Sequence, residues 1–506
     1  MGHSTPGPNF KEKLAFASLA WDDVCWWVAA RKFTAFISRM ERVSPGKLDR
    51  LSRIRSRRAY YQALKNVPAY RDFVAKSGSG PSDVPETDKS SYIARYSIEE
   101  RCRGGRIPNR TTMIDESSGS TGVPYNWVRS PKERAVSHKA VNFFARYCYG
   151  DEETIVINAF SMGAWATGLN MGQALLQFSI VKNIGPDIEK ILSTLRLFGT
   201  RFRYLLVGYP PFLKLLVDHA VRSDLSLKEY RLDALVGGEG MSEGLRDYLL
   251  RTFRSVYSGY GATDLELGLG GETPVSVALR RLARDDIKVQ RLLFGEDSRL
   301  PMVFQYNPLM HQVEINDQSE LIFTILRANV LSPRIRYNIH DEGGIARFDE
   351  IECLLAGNGI ALTQIAHGEH PVIKLPFLWI YGRRDSTISI MGANIYPEDL
   401  EECVYADSRL AQQISSFCME LAESDEAEVQ ACFHFEVGSP DDNLRAQIAD
   451  SVYETLLRLN ADFREAAKEH PQALRPQVHL HRTNEGPFAA NSSRIKHVRT
   501  VRSQRI

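Results

Sequence analysis

The run Ser117-Ser118-Gly119-Ser120-Thr121-Gly122-Val123-Pro124 combines hydroxyl side chains with glycines, a composition suited to holding phosphate. Backbone N–H groups and hydroxyls of such a loop wrap phosphate oxygens, and glycine allows the backbone to curve tightly around them. The spacing is not that of a Walker loop, because G-x-x-x-x-G-K-[ST] is absent. A surface linker has the same composition, so the run by itself leaves linker and phosphate cradle level.

Three further strings carry groups of complementary chemistry. Gly237-Gly238-Glu239 precedes Tyr260-Gly261-Ala262-Thr263-Asp264. There a tyrosine face can stack on a purine, a threonine hydroxyl can reach phosphate, and a carboxylate can hold Mg²⁺. A glycine-rich turn closing a strand is the plainer reading. Arg334-Ile335-Arg336-Tyr337-Asn338-Ile339-His340-Asp341 alternates like a strand and is predicted to deliver Asp341 to its end, where a carboxylate can accept from two ribose hydroxyls. Tyr381-Gly382-Arg383-Arg384-Asp385 suits a hinge, with Arg383 in reach of ribose or phosphate; an exposed basic turn is the alternative.

These strings need a scaffold. Helical spacing over 53–74, broken at Pro68, predicts a helical N-terminal subdomain extending to about residue 80. Strand-like segments at 154–157, 204–207 and 232–236 alternate with helical stretches at 131–149, 187–198 and 242–253, which argues for a largely parallel sheet covered by helices. Strands at 320–326, 333–338 and 378–381 are expected to form a second sheet or distorted barrel. After Gly382 come a hairpin at 387–395, a helix opening at Pro397 with Glu398 and Asp399 in its first turn, more strands, and one long helix over 443–468. The fold class is therefore α/β, with a large domain over 1–382 and a small α+β domain over 383–506. The segment 274–313 has helical periodicity and no assigned chemical task.

The chain has 506 residues, 43% hydrophobic and 25% charged, enough to bury large cores. Its 63 basic residues against 62 acidic ones leave no field to hold a polyanion, which argues against nucleic acid as a partner. Seven scattered cysteines without a CxxC pair favour reduced thiols and a cytoplasmic setting. The aromatic-rich run 14–40 is interrupted by Asp22, Asp23, Arg31 and Lys32 before it reaches transmembrane length, so it reads as an amphipathic helix. Trp21, Trp26 and Trp27 are expected to pack on the protein's own body, with a membrane-surface role as the second reading. Signal-peptide and myristoylation patterns are absent, Pro6 standing where the latter needs Ser or Thr.

The four motifs, in this order, resemble the signature set of adenylate-forming enzymes, and the branch they are similar to is that of the phenylacetate–coenzyme A ligases and their coenzyme F390 synthetase-like relatives. Asn66-Val67-Pro68-Ala69-Tyr70-Arg71 and Thr87-Asp88-Lys89 strengthen the likeness, which runs from about Arg53 to the C-terminus. The resemblance implies that a carboxylate is joined to ATP, releasing pyrophosphate, before a C-terminal lid rotates and the acyl group passes to a thiol or other nucleophile. It assigns Ser117, Ser118, Gly119, Ser120, Thr121 and Gly122 to the β- and γ-phosphates. Gly238, Glu239, Tyr260 and Gly261 frame adenine, Thr263 and Asp264 serve phosphate and Mg²⁺, Asp341 and Arg383 the ribose side, and Asp385 the hinge. The acyl pocket falls within 160–171, with Phe160, Trp165 and Gly168, and the turn 392–394 swings toward a pantetheine arm.

The sequence also departs from that pattern. Val123 replaces the usual lysine, and Asp264 replaces the usual glutamate. The C-terminal Gly-Lys becomes Asn491-Ser492-Ser493-Arg494-Ile495-Lys496-His497, so Arg494 or Lys496 takes the catalytic-lysine role, and arginine and lysine are not interchangeable there. A solvated basic tail with Arg499, Arg502 and Arg505 is the alternative. Some relatives bind zinc after the tyrosine-glycine motif; no Cys/His cluster follows Asp264, and no zinc is expected. Three functions follow: ligation of an aromatic or other small carboxylic acid to coenzyme A; adenylation with transfer to an acyl carrier protein's phosphopantetheine thiol or an amine; or an inactive nucleotide-binding homologue. A homodimer is compatible with each.

Overall fold

The computed structural model describes residues 7–502 except 81–82, 117–124, 164–165, 224, 298, 329, 366–370, 383–387, 391–392, 424–428, 470, 473 and 490–499. Four helices open the chain: α1 (Phe10–Ala29), α2 (Phe33–Arg42), α3 (Pro45–Asn66) and α4 (Pro68–Ser77). The expected single helix over 14–40 is thus two, parted at Ala30–Lys32. A two-stranded hairpin follows, β1 (Met113–Glu116) with β2 (Asn126–Arg129).

Then α5 (Pro131–Tyr149), β3 (Thr154–Asn158), α6 (Ala166–Leu175), β4 (Ile180–Asn183), α7 (Ile188–Phe198), β5 (Arg203–Gly208), α8 (Pro210–Arg222), β6 (Arg231–Gly237), α9 (Glu243–Leu249) and β7 (Val256–Tyr260) give a parallel α/β array. Its central strands β3, β5 and β6 are buried on both faces, as parallel strands under helices must be, while the edge strand β4 is largely exposed. Tyr204 and Leu206 of β5 join the core beneath α7 and α8, while Leu205 and Val207 join the core beneath α1, α2, α5 and α6.

The chain continues as β8 (Gly270–Gly271), α10 (Pro274–Asp285), α11 (Ile287–Phe294), β9 (Met302–Gln305), β10 (His311–Ile315), β11 (Glu320–Ile325), β12 (Tyr337–Ala346), α12 (Phe348–Ala356), α13 (Leu362–Ile365) and β13 (Phe377–Gly382). The expected separate sheet does not form. Short β8 pairs antiparallel with both β7 and β9 and so splices these strands onto the parallel ones. Among the described residues this gives one 11-stranded sheet, ordered β10-β11-β12-β13-β9-β8-β7-β6-β5-β3-β4. The helical periodicity within 274–313 becomes α10 and α11, divided at Asp286, whose carboxylate caps α11 through Lys288 N at 2.8 Å.

From β14 (Ile388–Ile390) and β15 (Ala393–Ile395) onward the residues build a core of their own, with α14 (Pro397–Ala406), α15 (Ser408–Gln413), β16 (Ile414–Glu423), β17 (Val429–Val437), α16 (Asp442–Leu459), α17 (Ala461–Glu469), β18 (Gln477–His481) and β19 (Thr500–Arg502). The long helix expected over 443–468 breaks at Asn460. That buried side chain accepts from Phe463 N at 2.9 Å and donates to Asp399 at 2.7 Å, so it caps α17 and ties it to α14.

Candidate active site

At the end of β7, Tyr260 turns its ring onto Phe304, stacked with centroids 5.6 Å apart, and its hydroxyl donates to Asp341 Oδ2 at 2.7 Å. Burial, then the neighbouring Asp341 charge, pushes the Tyr260 phenol well up, so it stays a hydrogen-bond donor. The position of β7 depends on a buried ion network. Glu272 accepts from Ser258 N at 2.7 Å and from Arg246 Nη2 at 2.5 Å, and Arg246 and Arg280 both reach Glu243.

Asp341 does not stand at a strand end. The strand starts only at Tyr337 and runs past Asp341 to Ala346, with Arg336 just before it and His340 within it at positive φ of 45° and 62°. Between the Asn338↔Ile322 and Glu342↔Glu320 pairs, three residues of β12 oppose Leu321 alone. This bulge aims Asp341 out of the ladder toward Tyr260.

The turn after Tyr260 is clamped through its backbone. Arg129 donates to the Thr263 carbonyl at 2.6 Å and the Leu265 carbonyl at 2.5 Å, and Arg334 donates to the Asp264 carbonyl at 2.7 Å. Asp264 Oδ2 lies 3.0 Å from Lys89 Nζ and accepts from the Tyr337 hydroxyl at 3.2 Å. Two residues on, buried Glu266 meets His311 and Arg327. Burial alone would raise its pKa, but Arg327 and His311 hold it at about 2.

These groups share one cavity of about 1380 Å³. One region is bounded by Gly238, Glu239, Tyr260, Gly261 and Asp341, with Thr263, Asp264 and Lys89 beside it. Another is bounded by Phe160, Thr167 and Met171, and the cavity extends to Trp26, Ile37 and Met40. Gly238, at φ +85°, lets the turn after β6 cross the Tyr209 ring, which a Cβ would approach to 2.9 Å. Gly168 sits behind the wall: a Cβ there would lie 2.2 Å from the Ser161 carbonyl oxygen, so glycine is what allows α6 to approach.

No family model matches the chain. It is 23% identical to a phenylacetate–coenzyme A ligase of Pseudomonas putida over 420 residues, covering 80% of this chain and 87% of that one. A second phenylacetate–coenzyme A ligase, from Aromatoleum evansii, is 22% identical over 386 residues, covering 74% and 79%. Among solved structures, a 2-hydroxyisobutyryl-CoA ligase in the postadenylation state, in complex with 2-HIB-AMP, superposes with a TM-score of 0.63 at 15% identity, over 92% of each chain. The fold is that of this ligase, and most of the chain is similar in sequence to the two phenylacetate–coenzyme A ligases.

In this fold the C-terminal body meets the cavity through α14, and Tyr396, Pro397, Glu398 and Glu401 join its walls. Glu401 accepts from Ser242 N at 2.7 Å and Glu402 from Gly244 N at 3.1 Å, so carboxylates of one body cap the N-terminus of α9 in the other. Lys214 donates to the Ile414 carbonyl across the same boundary. Arg299 lies 4.3 and 4.5 Å from the ring centroids of Tyr381 and Tyr396, linking the end of β13 to the residue ahead of α14. Burial, then the adjacent Asp399 and Glu401 charges, raises Glu398 to about 7.

Of the residues singled out from sequence, the cavity brings together Gly238, Glu239, Tyr260, Gly261, Thr263, Asp264, Asp341 and Phe160. Ser117, Ser118, Gly119, Ser120, Thr121, Gly122, Trp165, Arg383, Asp385, Arg494 and Lys496 lie outside the described residues. Lys89, Arg129 and Arg299 escaped notice as site residues. Lys89 closes the Thr87-Asp88-Lys89 block, a usable signal; the two arginines have none, because their roles depend on contacts distant in sequence.

Proposed function

We propose that this protein uses ATP to convert a small carboxylic acid into its acyl-adenylate and then transfers the acyl group to coenzyme A. The observation that carries this reading is the single cavity that takes in Tyr260, Asp341 and Asp264 together with the walls at Phe160 and Met171. Adenine lies against Tyr260 and Gly238-Glu239, the ribose hydroxyls donate to Asp341, and the acid occupies the apolar region between β3 and α6, where aromatic and aliphatic walls favour an apolar or aromatic acyl group. The loop of Ser117 to Gly122 holds the outer phosphates.

Asp264 suits Mg²⁺, which is held by one or two carboxylates together with substrate phosphates, and Lys89 at 3.0 Å is the cation it would share that carboxylate with. When bound, Mg²⁺ offsets the negative charge of the phosphates. The acid's carboxylate oxygen forms a bond to the α-phosphorus as the bond to the β-phosphate oxygen breaks, and pyrophosphate leaves with that electron pair. Arg494 or Lys496, carried by the lid over 383–506, offsets the repulsion between the two anions. The thiol then loses its proton, its sulfur attacks the acyl carbon, and AMP departs.

Exchange of labelled pyrophosphate into ATP, measured across a panel of acids, tests the first half. Exchange that depends on an added acid supports it, and its absence across the panel leaves a nucleotide binder. Supplying coenzyme A, carrier proteins and amines in turn identifies the acceptor.

A further inference from the structure

Helix α1 has two apolar faces. One packs against α3 and α2 through Phe16, Leu19 and Trp26. The other carries Phe10, Leu14, Trp21, Val24 and Val28 at spacings of 4, 7, 3 and 4, a single stripe along the helix, with Trp27 at its edge. All six are exposed: Trp21 retains 74% of its surface and Phe10 76%. The expectation that the tryptophans pack on the protein's own body therefore holds for Trp26 and fails for Trp21 and Trp27.

The charges of α1 are sorted as well. Each acidic side chain is engaged inward: Glu12 with Arg57, Asp22 with Lys47, and Asp23 with Arg55 and Arg58. Exposed Lys11 and Lys13 lie near one end of the outward stripe and Arg31 and Lys32 follow the other, the Arg31 guanidinium 3.9 Å above the Trp27 ring. An apolar stripe with tryptophans, bracketed by cations and stripped of acids, matches the depth profile of an anionic bilayer surface. A two-fold copy of the chain fits worse, since an isologous contact through this stripe finds no carboxylate on it for the four cations.

We propose that α1 is an in-plane anchor that docks this protein on anionic phospholipid. Trp26, Trp27, Ala30 and Arg31 also wall the cavity, so docking sets that wall at the lipid surface. If the carboxylate reading above holds, the acid drawn in is one that partitions into lipid; the docking itself does not depend on it.

The test is co-sedimentation of the full chain with phosphatidylcholine vesicles and with vesicles that also contain phosphatidylglycerol, without ATP or acid. The protein is expected to partition onto the anionic vesicles, with tryptophan emission shifting to shorter wavelength. Partition should fall at least about tenfold in Trp21→Asp/Val24→Asp and on adding high salt. Unchanged melting confirms that the variant is folded; if it does not fold, the wild-type emission shift and salt dependence decide. No partition of the wild type, partition equal in a folded variant, or a dimer that the same changes dissolve would overturn the proposal.

Discussion

Lys89 Nζ lies 3.0 Å from Asp264 Oδ2, which places a lysine from ahead of the phosphate loop on the carboxylate assigned to magnesium. The two cations then compete for one acceptor. Asp264→Ala is expected to raise the Mg²⁺ concentration for half-maximal pyrophosphate exchange about tenfold, equivalent to about 1.4 kcal/mol, whereas Lys89→Met lowers it. A magnesium titration of each variant checks both signs.

Asp341 carries the ribose contact in this account, and Tyr260 only orients it. Hydrogen bonds to a charged group contribute about 1.5–3 kcal/mol; the ribose loses its bonds outright with Asp341, whereas removing the Tyr260 hydroxyl leaves them in place and costs only their alignment. Asp341→Ala is therefore expected to weaken ATP binding about tenfold to a hundredfold, and Tyr260→Phe about fivefold. Calorimetric titration with ATP reads both, and the order of the two effects is the point at issue.

Arg246 holds Glu243 and Glu272 in a site where all three side chains are almost fully buried. Removing one partner of such a network leaves uncompensated charge, which costs about 3–5 kcal/mol. Arg246→Met should lower stability by that amount in denaturant titration, while Arg284→Met, on a partly exposed pair with Asp247 and Asp285, costs less than about 1 kcal/mol.

Much of the scaffold was legible. The helical stretch expected over 131–149 is α5, and Pro68, where the 53–74 spacing breaks, heads α4. What escaped depends on partners distant in the chain. Nothing local marks β8, two glycines whose pairings merge two expected sheets into one, or the bulge that puts Asp341 inside β12 rather than at its end. Asn460 reads as a tolerable helix residue until Asp399 is beside it. The nucleotide side was legible because Tyr260 and Asp341 carry their chemistry in their residue types, whereas Arg129 acts through carbonyls any sequence would supply.

Acid groups of the C-terminal body make its packing sensitive to pH. Burial, and then neighbouring acids, raises Glu398 from the ordinary 4.5 to about 7. A raised carboxyl contributes stability that is fully present below pH 4.5 and is lost as pH rises through about 7. Melting temperature is expected to fall between about pH 4.5 and about pH 7, and Glu398→Gln to flatten that slope. Glu243, held near 2 by Arg246 and Arg280 against the effect of burial, loses its contribution only as pH falls from 4.5 toward that value, outside this window.

The central claim is that nucleotide and acid share one cavity beneath the C-terminal body. A crystal structure with a non-hydrolysable acyl-sulfamoyl adenosine tests it most directly. Adenine is expected at Tyr260 and Gly238, the ribose hydroxyls on Asp341, and the acyl group between Phe160 and Met171. An analogue bound with its ribose away from Asp341, or with its acyl group outside that cavity, would contradict it.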